Sequence, residues 1–98
     1  MNSNADSIKN TLDENKERLK EVYGINEIGL FGSFARGDSN ELSDIDLLVD
    51  FSRPIGFFKF IELENHLCNL LGKRVDLVTK DALKSAIKED ILKEVLYV

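Results

Sequence analysis

The sequence predicts one small α/β (α+β) domain, a mixed β-sheet with helices packed mainly on one face. Three observations carry this. Segments with a helical apolar period alternate with short apolar or two-residue-period segments, in the order helix, strand, short helix, strand, helix, strand, helix. The connection between the first two strands has no long crossover, which predicts a local antiparallel pair. At 98 residues the chain holds one hydrophobic core, so residues 1–98 are read as a single domain.

Asn2 to Val22 reads as an amphipathic helix. Ile8, Leu12, Leu19 and Val22 recur near the 3.6-residue period, and lysines and glutamates fill the other face. Ser3 or Asp6 is placed to cap its start, and Gly24 to end it. Glu27 to Phe31 is a short apolar run, read as a buried strand. Gly29 inside it marks a close approach of backbone. Ser33 is expected to cap a short helix through Phe34, Ala35 and Arg36 that Gly37 terminates. Asp38 to Ser43 is loop by composition.

Asp44 to Phe51 alternates as a strand. Ile45, Leu47, Val49 and Phe51 fall on one face, and Asp44, Asp46, Leu48 and Asp50 on the other. Arg53, Pro54 and Gly56 make a connection. Phe57 to Leu71 reads as a helix whose apolar face holds Phe57, Phe60, Ile61, Leu67, Cys68 and Leu71, with Gly72 at its end. Lys73 to Val78 is a third strand, with Asp76 opposite Val75 and Leu77. Asp81 is expected to cap a last helix from Ala82 to about Glu94, with Ile87, Ile91 and Val95 on its buried side. Leu96 to Val98 is an apolar tail, placed to pack on the core or to meet a partner.

Composition narrows the function classes. The net charge is −5 and the pI about 4.8, so the basic face of a binder of long nucleic acid is missing. No run is long enough to cross a bilayer, and the polar N-terminus lacks the apolar stretch of a signal peptide. A cytoplasmic protein is expected. The lone Cys68 suits a reducing compartment and is most simply a core residue. His66 is read as a solvated side chain, and the aromatics from Phe57 to Phe60 as core packing rather than a base-stacking platform, with Phe58 alone placed to be exposed.

The chemistry concentrates between Leu30 and Phe51. Asp44 and Asp46, two residues apart on a strand, project to one side. Hard divalent cations prefer oxygen ligands, and magnesium typically uses one or two protein carboxylates together with substrate phosphates. Two such carboxylates can bridge a pair of ions roughly 3.5–4 Å apart, and Asp76 on a neighbouring strand can add a third. Upstream, Gly32 lets backbone approach a phosphate, Ser33 offers a hydroxyl, and Arg36 a charged donor. Either motif alone is common; a plain helix cap or a solvated strand residue explains each. Together, at this separation, they are far more specific.

Gly32-Ser33-Phe34-Ala35-Arg36-Gly37 followed by Ser43-Asp44-Ile45-Asp46-Leu47-Leu48-Val49 resembles the signature of the DNA polymerase beta-like nucleotidyltransferase superfamily. The chain's compact length is similar to the minimal nucleotidyltransferase (MNT) branch, and Asp76 in Arg74-Val75-Asp76-Leu77-Val78 matches the third family carboxylate. The resemblance implies the polymerase beta-like fold, with Gly32 and Ser33 on the triphosphate of ATP. It implies two magnesium ions held by Asp44 and Asp46, the catalytic one shared by Asp76, and Arg36 as a phosphate or target contact. Asp76 would also help deprotonate an acceptor hydroxyl.

The same resemblance implies a partner, a helical toxin of the HEPN type, with AMP passed to one of its tyrosines so that this chain acts as antitoxin. Two other readings stand beside it. One is an antitoxin that neutralises by binding, with catalysis weak or lost. The other is a stand-alone enzyme that modifies a small hydroxyl compound such as an aminoglycoside. The absence of room for an acceptor-holding domain argues against the last. A homo- or hetero-oligomer is compatible with the apolar tail.

Overall fold

The computed structural model describes residues 4–98. Helices α1 (Ala5–Glu14) and α2 (Lys16–Tyr23) lead into strand β1 (Ile25–Phe31). A single helical turn, α3 (Ser33–Arg36), and a loop precede β2 (Ile45–Phe51). Helix α4 (Phe57–Leu71), β3 (Val75–Thr79), a 3-10 turn (Lys80–Ala82), α5 (Ser85–Glu94) and the two-residue β4 (Leu96–Tyr97) complete the chain. The sheet order is β3-β2-β1-β4. β1 is antiparallel to β2 and to β4, and β2 is parallel to β3, so the sheet is mixed as the sequence predicts.

Where the chain departs from its sequence reading, the causes are local. The N-terminal helix is two helices, broken at Asn15, whose side-chain amide donates to the Thr11 carbonyl at 2.8 Å. The cap of α1 is Asn4, whose side chain accepts from the Ser7 amide at 2.8 Å. Ser3 lies outside the described residues, and Asp6 sits inside the first turn. Asp81 falls in the 3-10 turn and does not cap α5. Gly24 and Gly72 do end their helices, both in the left-handed conformation.

The core lies between one face of the sheet and helices α1, α2 and α4. Ile28, Leu30, Ile45, Leu47 and Val49 point into it from the strands, and Ile8, Leu12, Leu19, Leu63 and Leu67 from the helices. Each such side chain contributes about 1.5–3 kcal/mol on leaving water. Helical period does not tell how wide a neighbour's cover is. Val22, Phe57, Phe58 and Ile61 therefore turn out exposed, against the expectation for all but Phe58 of a buried face, while Leu63 is fully buried. Phe57 and Phe58 instead pack edge-on against each other, ring centres 5.7 Å apart.

α5 lies on the opposite face. β3 and β4 run the same way, and the crossover between them moves across the sheet in the opposite sense to the β2–α4–β3 crossover. Two right-handed crossovers of opposite sense occupy opposite faces. The cover is sparse: no residue of α5 is buried, and Ile87, expected inside, is half exposed. Val95, partly buried just beyond the end of α5, makes the close approach. Gly29 has no side chain, and a Cβ there would stand 2.6 Å from Val95 Cγ2 and 3.2 Å from the Leu96 carbonyl oxygen, so the glycine lets the C-terminal segment lie directly on β1. Lys80 ties the same face together, 3.2 Å from Glu27 Oε1 and 5.0 Å over the Tyr97 ring. Leu96 and Val98 pack on the core, and Tyr97 stays partly exposed. No helix among the described residues is long and apolar enough to cross a membrane.

Candidate active site

The end of β1 and the starts of β2 and β3 meet at one end of the sheet. Register does the positioning. Phe31 pairs with Asp46, and Asp46 pairs with Asp76 across the parallel β2–β3 ladder. Neighbouring strands are about 4.8 Å apart, and paired residues point to the same face. Asp46 and Asp76 therefore project together, away from the core and onto the face that α5 crosses. Asp44 precedes β2 by one residue, in irregular backbone rather than in the strand as expected, and is exposed. Asp50 shares the Asp46 face but accepts from the Asn26 side chain at 3.1 Å at the far end of the sheet, a structural role as its position suggests.

Gly32 stands where β1 turns into α3. Its backbone, φ 76° and ψ −155°, is a conformation that side chains disfavour. The reason is visible in what surrounds it. A Cβ on Gly32 would lie 2.1 Å from Asp46 Oδ2, so the missing side chain is the space the Asp46 carboxylate occupies. Ser33 is the first helical residue, and the cap position expected for it is taken by Gly32. Helix geometry leaves the first amides of α3 without intrahelical partners. A single turn adds donors but little dipole.

Electrostatics single out Asp46. It is half-buried, and desolvation, then Asp76, then Asp44 push its carboxyl above the usual range; Glu94 adds a small push and Arg36 alone opposes. A half-buried carboxylate with unrelieved negative neighbours is an environment that a divalent cation relieves. The donor set, all carboxylate oxygens, suits magnesium. Among the described residues no three acidic, histidine or cysteine side chains already stand at ligating distance of a common point.

Arg36, one turn beyond Gly32, has two carboxylate partners. Its Nε donates to Asp38 Oδ2 at 3.1 Å and its Nη1 to Glu94 Oε1 at 2.7 Å. Glu94 escapes a reading of the sequence because it lies 58 residues away. The one signal in the sequence is an acid on the last turn of a helix, where the dipole disfavours it. Of the remaining candidates, Cys68 Sγ accepts from the Val75 amide at 3.3 Å, and His66 packs against the buried Tyr23 ring at 6.1 Å, so both are structural. Two clefts, one of them the groove lined by Tyr23, Phe58 and His66, lie on the α2–α4 side, away from the carboxylates.

Comparison with known proteins agrees with this geometry. Residues 8–98 match the family described as nucleotidyltransferase domain. The protein adenylyltransferase MntA of Thermococcus cleftensis is 50% identical over 93 residues, which are 95% of this chain and 94% of that protein. A solved minimal nucleotidyltransferase superposes with a TM-score of 0.81 at 30% identity, covering 96% of this chain and 95% of the other. A Shewanella oneidensis structure of a tri-AMPylated HEPN toxin in complex with its MNT antitoxin matches at a TM-score of 0.67 and 20% identity. The match covers 92% of this chain and 70% of that one, and it speaks for the fold.

Proposed function

Since this chain belongs to the nucleotidyltransferase domain family, in its minimal branch, we propose that it transfers AMP from ATP to a hydroxyl, a tyrosine of a HEPN-type toxin, and so serves as the antitoxin. The observation that carries this reading is the in-register pair Asp46 and Asp76, with the Asp46 carboxylate in the space vacated by the Gly32 side chain. The phosphate-approach turn and the Asp46 carboxylate are thereby in direct contact, and Asp76 is the register partner of Asp46 on the next strand.

The geometry supports the following roles. Gly32 and Ser33, with the first amides of α3, hold the triphosphate against the end of β1. Asp44 and Asp46 would hold two magnesium ions, with Asp76 sharing one of them. When bound, the ions supply charge neutralisation at the attacking and leaving oxygens. The acceptor oxygen bonds to the α-phosphorus while the bond from that phosphorus to the bridging oxygen breaks, and pyrophosphate leaves with the electron pair. Asp76, exposed at the start of β3, takes the hydroxyl proton. Residues 1–98 act as one domain in the cytoplasm. The acceptor is a protein that docks with its hydroxyl over the open face, which is consistent with a toxin partner and needs no basic groove.

The test is an intact-mass measurement after incubation with ATP, magnesium and the toxin encoded beside this chain. The expected result is a gain of AMP mass on the toxin, abolished by chelating the divalent ion and reduced at least ~100-fold by Asp44→Asn. A stable complex without any mass change would sink the transfer reading in favour of neutralisation by binding.

A further inference from the structure

The ion pair between Arg36 and Glu94 has a use beyond holding two segments together. Four observations bear on it. Glu94 closes α5, where its negative charge opposes the helix dipole, so the position is unfavourable unless a cation answers it. Its backbone is fixed from the C-terminal side: Val95 lies on Gly29, and Leu96 pairs with Leu30 in the sheet. Its side chain is only 22% exposed, whereas that of Arg36 is 52% exposed. Finally, Glu94 and Asp38 take Nη1 and Nε of the guanidinium and leave the Nη2 hydrogens free.

The less mobile partner is therefore the carboxylate. An exposed arginine normally loses much rotamer freedom when it grips an anion. One held by two carboxylates has lost that freedom in advance, and its remaining donors are presented in a fixed plane. We propose that Glu94 is a positioning residue. It holds the Arg36 guanidinium at the rim of the donor site, with the free edge turned to a nucleoside triphosphate. The inference rests on the nucleotide-site reading given above, and assigns to the C-terminal segment a part in gripping the donor. Glu94 touches no reacting atom; it acts through Arg36.

Affinity for ATP in magnesium buffer, measured by titration calorimetry on the full chain, tests this with four proteins. Glu94→Gln is expected to weaken ATP binding about fivefold and Arg36→Gln about tenfold or more, each tenfold being 1.4 kcal/mol. The double variant is expected to bind no worse than Arg36→Gln, because the Glu94 side chain bonds to Arg36 and its push on Asp46 is small. The exchanged pair, Arg36→Glu with Glu94→Arg, is expected to restore the melting temperature lost in Glu94→Gln but not the ATP affinity. Should Glu94→Gln melt below the assay temperature, Glu94→Asp carries the same comparison at a smaller loss.

Unchanged or tighter binding by Glu94→Gln would overturn the proposal, since Glu94 would then be idle or would sequester Arg36. So would an undiminished loss in the Arg36→Gln background, or recovery of affinity in the exchanged pair. If the unaltered protein binds no ATP, the nucleotide-site reading itself fails and this inference with it.

Discussion

Replacing Gly32 by alanine separates the two demands this residue meets. The added Cβ would sit 2.1 Å from Asp46 Oδ2, 2.9 Å from its Cγ and 3.1 Å from its Cβ. All three nearest atoms belong to one side chain, so Asp46 alone must yield. Ordinary contact begins near 3.4 Å, so the carboxylate oxygen has to move by about 1.3 Å. A displacement of about 1 Å at a reacting centre costs roughly 100-fold in rate. The backbone, at φ 76° and ψ −155°, adds about 1–3 kcal/mol of strain for a residue with a side chain.

Gly37 supplies the control. It too has a positive φ, 82°, but a Cβ there meets nothing within 4 Å. Gly37→Ala is expected to lose about 1–2 kcal/mol of stability to backbone strain alone. In a domain of this size that lowers the melting temperature by roughly 5–15 °C. The two variants should therefore melt at comparable temperatures but differ in activity. AMP incorporation into the toxin, measured well below both transitions, should fall about 100-fold or more in Gly32→Ala and stay within about twofold in Gly37→Ala. Wild-type transfer by Gly32→Ala, or an equal loss in both, would refute the idea that Gly32 exists to seat the Asp46 carboxylate.

Asp46→Asn should abolish transfer yet stabilise the metal-free protein. Desolvation, Asp76 and Asp44 raise the folded carboxyl above its unfolded value of 3.8, so the native state binds more protons. Stability then falls as pH rises from near 3.8 through the raised value, and stays lowered above it. Urea titrations across that window in a chelating buffer should show the fall for the parent and a flatter profile for the asparagine variant; identical profiles would count against the coupling. Gly29→Ala puts a Cβ 2.6 Å from Val95 Cγ2 on a strand whose backbone accepts any residue. It should cost about 1–3 kcal/mol as overpacking and speed exchange of the Leu96 and Val98 amides, where an unaltered exchange pattern would show that β4 does not depend on this contact.

How much of this protein can be read from its sequence depends on the range of each signal. Gly32-Ser33 and Asp44-Ile45-Asp46 are contiguous, so their chemistry is legible in the chain itself. Asp76 is legible because alternation along a strand fixes which residues leave the core. That it is the register partner of Asp46 is not, since pairing between β2 and β3 is a property of the assembled sheet. Helix ends marked by glycine come through for the same local reason, at Gly24, Gly37 and Gly72. The Asn15 break does not, because Ile8, Leu12 and Leu19 stay on the core side across it. Phe57 and Phe58 show the opposite limit: an apolar stripe tells which residues share a face, not whether another element covers it.

The site is assembled from four chain ends rather than from one loop. β1 delivers Gly32, β2 and β3 deliver Asp46 and Asp76, and α5 delivers Glu94. Three of the four are anchored by strand pairing in the body of the sheet, which confines the carboxylates more tightly than a loop would. The charges so confined are mostly of one sign, and among the described residues Arg36 is the only cation that bears on Asp46. A triphosphate adds further negative charge to that surface. On the proposed reading it would be bound there only if cations entered with it, so the same arrangement that weakens the empty fold would make donor binding conditional on metal. Asp46 is the residue at which both consequences meet: it is the most desolvated of the three aspartates, the one Gly32 makes way for, and the one whose ionisation the fold resists.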